Sequence, residues 1–206
     1  MENLILIGTV VFIHFLALVS PGPDFIMTVK NSLTYSRSTG IWTSVGFGLS
    51  TAVHILYCAA GLALIISQSI IIFTLIKFLG VGYLIYIGLQ AFFSKQKNIE
   101  IKSSDHKKDI SIFKAIQIGF FTNLLNPKAT LFFLSLFTLV VSPQTPVFVL
   151  WIISTMMVIN IILWFSLVSI FLTQQKVRNT FNKFQTVFNK IFGSLLIGLG
   201  IKIALD

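Results

Sequence analysis

The hexapeptide SPGPDF at residues 20–25 interrupts an apolar run that otherwise extends over residues 4–29. A second interruption, NPK at residues 126–128, divides a later apolar run over residues 112–141. Proline cannot donate a backbone hydrogen bond and stops or kinks a helix, so each run is predicted to end one helix and begin another. Backbone groups freed inside a membrane are tolerated only against protein or water. The two breaks therefore predict a hydrated cavity within a bundle of membrane helices.

The composition of the chain is typical of an integral membrane protein. Of its 206 residues, 55% are apolar and 10% are charged, whereas a soluble domain carries about 25% charged residues. A helix needs about 20 apolar residues to cross the hydrocarbon core. Six stretches meet or approach that length, namely residues 4–29, 41–66, 70–93, 112–141, 147–172 and 188–205. We predict an all-α integral membrane protein with six transmembrane helices, of which spans one and four are broken at the proline motifs.

The basic residues alternate between the predicted connections, and lysine and arginine favour the cytoplasmic side of a membrane. The connections after spans one, three and five hold Lys30 and Arg37, then Lys95, Lys97, Lys102, Lys107, Lys108 and Lys114, then Lys176, Arg178, Lys183 and Lys190. The other connections and the N-terminal tail hold none. This pattern predicts a multi-pass protein of the plasma (inner) membrane with both termini extracytoplasmic and a basic cytoplasmic loop at residues 94–111. Membrane orientation thus explains the formal net charge of +9, and no nucleic-acid partner is predicted.

The two halves of the chain, residues 1–93 and 112–206, have related features. Each half begins with a proline-broken span. The sequence KFLG at residues 77–80 is followed by IGL at residues 87–89, and KIFG at residues 190–193 is followed by IGL at residues 197–199. Because each half has an odd number of spans, a repeat would be inverted in the membrane. We predict a single transmembrane domain over residues 1–206 built from two inverted three-helix repeats, an arrangement typical of secondary transporters.

Asp24 is the acidic residue that lies inside an apolar run. A charged side chain at the bilayer centre costs about 2.5–3.5 kcal/mol on insertion scales, and such residues usually mark function. Asp24 is predicted to bind the amine of a substrate or to carry a coupling proton. The alternative is that Asp24 only caps the helix that Pro23 begins, near the cytoplasmic end of span one.

The second motif supplies groups that suit an anion. Asn126 before Pro127 is typical of a helix N-cap followed by the first helical position. The free N–H groups of such a helix start attract a carboxylate, and Lys128 adds a positive charge. Asn123, Asn126 and Lys128 are therefore predicted to bind the substrate, although Lys128 could instead pair with Asp24 for structural reasons or extend to the membrane surface.

The remaining helix-breaking residues, Pro21, Gly22, Pro23 and Pro127, are predicted to act in gating. In an inverted repeat the two breaks can also lie on opposite sides of the midplane, in which case the motifs would form two separate gates rather than one site.

Other polar residues in the spans have two interpretations each. His54, near the middle of span two and close to Tyr57, could relay protons, but a lone histidine is more often a hydrogen-bonded packing residue. Asn160 and Trp164 lie four residues apart in span five, where they could line a cavity or stabilise packing.

A stripe of small residues runs along span two. Gly40, Ser44, Gly48 and Ala52 recur every four residues and allow another helix to approach closely. The partner helix could belong to the same chain or to a second copy, so a homodimer stays open.

The segments SPGPDF at residues 20–25 and NLLNPKATLFF at residues 123–133 are similar to the two signature segments of the LysE/RhtB family of amino-acid exporters. FLGVGYLIYIGLQAF at residues 78–92 resembles the third span of that family, and the likeness covers essentially the whole chain. The resemblance implies export of amino acids or close derivatives, by exchange against protons or coupling to the membrane potential. Matched motif positions are Pro21, Gly22, Pro23, Asp24, Asn123, Asn126, Pro127 and Lys128. The family has several substrates, and related transporters handle cadmium, so the motifs do not identify the cargo.

We predict a secondary transporter that exports amino acids by proton antiport, with protonation of Asp24 releasing the substrate amine. The alternatives are an exporter of another small solute such as a metal cation, a lipid-handling membrane protein, and a membrane scaffold. Phosphate-loop, HExxH and GxSxG signatures are lacking, so no enzyme is predicted. Cys58 is the only cysteine, and neither a cofactor nor a resident metal is expected.

Overall fold

The computed structural model describes residues 1–94, 108–140, 145–171 and 173–205. The helices in chain order are α1 (Glu2–Val19), α2 (Pro23–Thr34), α3 (Arg37–Gln68), α4 (Ile70–Phe92), α5 (Ile112–Leu124), α6 (Pro127–Val140), α7 (Val147–Phe171) and α8 (Gln175–Leu205). No strand occurs in these described ranges, so the all-α prediction is confirmed. Most of the predicted cytoplasmic loop at residues 94–111 lies outside the described residues.

Five of the described helices contain a segment long and apolar enough to cross a membrane, namely α1, α3, α4, α7 and α8. The predicted span over residues 112–141 is instead divided into α5, with 13 residues, and α6, with 14 residues. Each is shorter than the roughly 20 residues that a crossing requires. The chain is therefore a multi-pass helical membrane protein, and a sixth crossing requires α5 and α6 to act together as one broken span.

The first break falls at the prolines. Ser20 and Gly22 each precede a proline and have extended backbones, with φ, ψ of −69°, 116° and −150°, −170°. A residue before proline avoids helical geometry because the proline ring clashes with it. Helix α1 therefore ends at Val19, and α2 restarts with Pro23 in its first turn, as the sequence predicts.

The second break is stabilised by an N-cap. Helix α5 ends at Leu124, and α6 begins at Pro127. The backbone N–H of Lys128 donates to the side-chain Oδ1 of Asn126 at 3.0 Å. This contact satisfies one of the helix N–H groups that would otherwise lack a partner. The predicted N-cap role of Asn126 is confirmed.

The predicted small-residue stripe of α3 is covered by the same chain. A Cβ built on Gly40 would lie 2.0 Å from Ser32 Oγ of α2 and 2.6 Å from Ser169 Oγ of α7. A Cβ on Gly48 would lie 2.5 Å from Ile162 Cδ1 of α7. Gly40 and Gly48 of the stripe therefore pack against α2 and α7 of the same chain.

The closest backbone approach of α3 uses a different face. A Cβ on Gly46 would lie 2.1 Å from the Ile116 carbonyl oxygen, and a Cβ on Gly119 would lie 2.0 Å from the Thr43 carbonyl oxygen. Helices α3 and α5 thus touch backbone to backbone, as small residues permit in membrane bundles. This contact fixes α5, which ends at the second break.

Helix α8 begins earlier than predicted. The sequence predicts that Lys176, Arg178, Lys183 and Lys190 belong to the connection after span five and that span six begins at about residue 188. The structure includes all four residues in α8, which has 31 residues. The segment of α8 that is long and apolar enough to cross a membrane is Lys183–Leu205, close to the predicted sixth span. The earlier part of α8 lies against the bundle, where the Phe181 ring stacks on Phe25 of α2 at a centroid distance of 5.1 Å.

Candidate functional site

The two broken segments meet at the carboxylate of Asp24. The Asn123 amide donates to Asp24 Oδ2 at 2.8 Å, and the Asn126 amide donates to Asp24 Oδ1 at 3.4 Å. Asp24 lies in the first turn of α2, whereas Asn123 lies near the end of α5 and Asn126 immediately before α6. The structure therefore brings the two sequence motifs together in one cluster, unlike the arrangement with two separate gates.

Lys128 lies beside this cluster. Its ammonium donates to Ser20 Oγ at 3.5 Å and lies 6.0 Å from the centre of the Phe192 ring. Within the described chain, the hydrogen-bond partners of the Asp24 carboxylate are the two asparagine amides, and Lys128 does not pair with it directly. The ammonium faces the interior of the bundle, so Lys128 does not extend to the membrane surface.

Asp24 and Lys128 line a common cavity of about 50 Å³. Its other polar lining residues are Ser20, Asn123, Asn126 and His14. Its remaining lining residues are Ala17, Leu18, Gly22, Phe25, Ala129, Phe132, Phe133, Ile161 and Phe165. A cavity of this size has room for a few water molecules. A larger solute therefore requires the broken helices to move apart.

His54 contacts the cluster through Asn123 rather than through Asp24. Its Nε2 lies 3.2 Å from the Asn123 carbonyl oxygen, and its Nδ1 is hydrogen-bonded to the Tyr57 hydroxyl. A carbonyl oxygen can only accept, so Nε2 carries the proton and Nδ1 accepts from tyrosine. The His54 ring also stacks on Phe133 at 5.2 Å. Asn123 is thus held from both sides, because its side chain binds Asp24 and its backbone binds His54.

Asn160 and Trp164 both donate hydrogen bonds to backbone carbonyls of α1. The Trp164 indole donates to the Leu18 carbonyl at 3.1 Å, and the Asn160 amide donates to the Val11 carbonyl at 3.4 Å. Leu18 belongs to the last turn of α1, whose carbonyl groups have no partner within the helix. The structure therefore supports the packing interpretation of these residues.

Sequence reasoning missed Ser20 and His14 as lining residues. Ser20 lies inside the quoted motif, so its position was the available signal. His14 has no motif around it. The sequence shows only that it is a polar residue in an apolar run, six positions before the break at Ser20.

The N-cap of α6 can be tested by comparing two substitutions that both remove the Asn126 amide donor to Asp24 and differ in whether they keep a capping oxygen. Asn126→Ala is expected to lower the free energy of unfolding by about 1 kcal/mol, because the Lys128 N–H loses its acceptor. Asn126→Ser keeps a capping oxygen and is expected to retain most of that stability. Thermal unfolding of the purified protein in detergent measures both. Equal destabilisation by the two variants would show that the cap does not contribute.

The family of the chain follows from its similarity to known proteins. The family model described as LysE type translocator matches residues 15–206. The chain belongs to this family. It is 30% identical over 195 residues to the uncharacterized membrane protein YrhP of Bacillus subtilis (strain 168), covering 91% of this chain and 93% of that protein.

Other relatives carry a functional name. The chain is 29% identical over 204 residues to the threonine efflux protein of Salmonella typhi, covering 98% of this chain and 99% of that protein. It is 27% identical over 204 residues to the threonine efflux protein of Escherichia coli (strain K12), with the same coverage. No solved structure is significantly similar to the chain. The LysE family is a family of translocators, which confirms the family predicted from the two motifs and the transport class.

Proposed function

We propose that the chain is a secondary transporter that exports amino acids or close derivatives from the cytoplasm in exchange for protons. The observation that carries the proposal is the cluster of Asp24, Asn123, Asn126 and Lys128 where the N-termini of α2 and α6 meet in one cavity. The threonine efflux proteins among the relatives support the same class of substrate.

The cluster offers partners for both charges of a zwitterionic amino acid. The ammonium of the substrate binds the Asp24 carboxylate, which is the stronger acceptor because it is charged. The substrate carboxylate binds the N-terminus of α6 and the ammonium of Lys128. A substrate with one positive and one negative charge therefore matches the site better than a cation or an anion alone.

Coupling follows from competition at Asp24. A proton and a substrate ammonium both bind the same carboxylate, and each weakens the binding of the other. When the site faces the outside, protonation of Asp24 releases the amine. When it faces the cytoplasm, loss of the proton restores the carboxylate for the next substrate. His54, joined to Asp24 through Asn123, is a second group that can carry a proton.

An inverted repeat explains the meeting of the motifs. Pro23 and Pro127 each begin a half-helix, and Asp24 and Lys128 take the next position in each. In such a repeat α1, α2 and α3 of the first half correspond to α5, α6 and α7 of the second. The contact of α1 with α7 then corresponds to that of α5 with α3, and the contact of α2 with α7 corresponds to that of α6 with α3. We assign six crossings to this repeat, with α5 and α6 as one broken span. The protein lies in the plasma (inner) membrane, with both termini outside and residues 94–111 in the cytoplasm.

The proposal is tested in proteoliposomes loaded with labelled threonine, leucine, cysteine or lysine. An acidic external medium is expected to accelerate efflux of the zwitterionic amino acids. Lysine is expected to move more slowly, because its second ammonium has no second carboxylate in the cavity as described. Efflux of none of the four, with movement of a divalent metal ion or a lipid instead, would overturn the proposal. The described residues contain no group of three metal-binding side chains.

A further inference from the structure

His14 is a buried polar residue that the proposed transport reaction does not yet use. Its side chain is 1% exposed and lines the cavity together with Asp24 and Lys128. Its Nδ1 has no hydrogen-bond partner among the described residues. The great majority of buried polar atoms in proteins have a hydrogen-bond partner, so a nitrogen without one at a binding cavity requires an explanation.

The position of His14 places it near the apolar end of the cavity. Its ring centre lies 5.7 Å from that of Phe133 and 6.3 Å from that of Phe132. Phe132 follows Lys128 by about one turn of α6, which is a rise of about 6 Å. Lys128 and the phenylalanine rings beside His14 therefore line different parts of the same cavity. A substrate whose charged groups bind Asp24 and Lys128 would thus direct its side chain towards His14.

His54 provides a comparison within the same chain. Both histidines pack against Phe133, and both are buried. The nitrogens of His54 are bound to Tyr57 and to the Asn123 carbonyl. Of the two histidines, only His14 has a buried ring nitrogen without a hydrogen-bond partner among the described residues.

We propose that His14 binds a hydroxyl group on the substrate side chain and so selects small hydroxylated amino acids. This inference rests on the proposed function. A neutral imidazole offers one donor and one acceptor, which a hydroxyl can satisfy. An apolar side chain of the same shape leaves the nitrogen unpaired, and a site built for a hydroxyl rejects such an analogue strongly. Threonine is therefore preferred to valine, which replaces the hydroxyl with a methyl group.

The test compares threonine and valine, loaded together in proteoliposomes, as substrates of the wild type and of His14→Leu. The wild type is expected to prefer threonine by roughly tenfold or more, and His14→Leu is expected to bring the two rates within about twofold, because its apolar side chain no longer pairs with the hydroxyl. His14→Gln, which keeps a donor and an acceptor, is expected to retain part of the preference. His54→Leu is the matched control and is expected to slow both substrates without changing their ratio.

The outcomes separate this inference from the proposed function. Transport of both amino acids by the wild type at equal rates overturns the role of His14 without any variant. An unchanged preference for threonine in His14→Leu overturns it as well. Transport of neither amino acid by the wild type contradicts the proposed function itself. His14→Leu could fail to reach the membrane, and His14→Gln is then compared with His54→Leu. If the threonine-to-valine ratio of efflux rates falls no further in His14→Gln than in His54→Leu, the inference is overturned.

Discussion

Replacing Asp24 with asparagine is expected to lower proton-driven amino-acid efflux by about 10- to 100-fold, the range that loss of one hydrogen bond to a charged group would give. The substitution keeps the shape of the side chain and removes its negative charge. The substrate ammonium then lacks its charged partner, and the site can no longer exchange a proton for it. The amides of Asn123 and Asn126 keep one oxygen to which they can donate. Efflux from proteoliposomes with and without a pH gradient measures the effect.

Asp109 provides the matched control. It precedes α5 and accepts a hydrogen bond from the Thr39 hydroxyl at 3.2 Å. Asp109→Asn makes the same chemical change at an exposed residue that does not line the cavity. Efflux is therefore expected to stay within about twofold of wild type. Equal gradient-driven efflux by wild type and Asp24→Asn would show that Asp24 neither binds the amine nor couples transport to protons.

The largest effect on stability is expected from Gly46→Ala. The added Cβ would lie 2.1 Å from the Ile116 carbonyl oxygen and 2.7 Å from the Phe120 backbone nitrogen. Backbone atoms cannot rotate away as a side chain can, so α3 and α5 must separate. Overpacking of this kind costs about 1–3 kcal/mol and sometimes more. Because α5 holds Asn123 against Asp24, the same change is expected to reduce transport.

Gly61→Ala is the matched control on the same helix. Apart from the neighbouring backbone of α3, no described atom lies within 4 Å of a Cβ built on Gly61. Alanine is favoured over glycine in a helix by about 0.5–1 kcal/mol, so this variant is expected to be neutral or slightly more stable. Melting temperatures in detergent compare the two variants. If both shift the melting temperature equally, helix propensity rather than the α3–α5 contact decides the outcome.

Local features of the fold were predictable because they depend on neighbouring residues. Proline restricts its own backbone and that of the residue before it, so the breaks at Pro23 and Pro127 follow from the sequence. The N-cap role of Asn126 follows from the same local chemistry. The start of α8 could not be predicted in this way. Its polar first half is held by the contact between Phe181 and Phe25, two residues that are distant in sequence.

The composition of the site was only partly predictable. Asp24, Asn123, Asn126 and Lys128 are conspicuous as polar residues in apolar runs. Their meeting depends on how the two halves pack, and the spacing of the motifs was compatible with two separate gates. His14 was missed because one histidine in an apolar helix gives no local sign of the direction that it faces. The α3–α5 contact at Gly46 was missed because regular spacing favoured the neighbouring stripe.

The most direct test of proton antiport measures the pH inside proteoliposomes while an amino acid leaves them. Vesicles are loaded with threonine and a pH-sensitive dye, the membrane potential is clamped, and the external threonine is removed by dilution. The lumen is expected to become acidic as threonine leaves, and Asp24→Asn is expected to lower the rates of both the efflux and the pH change by about 10- to 100-fold. Threonine efflux at an unchanged luminal pH would contradict proton exchange at Asp24.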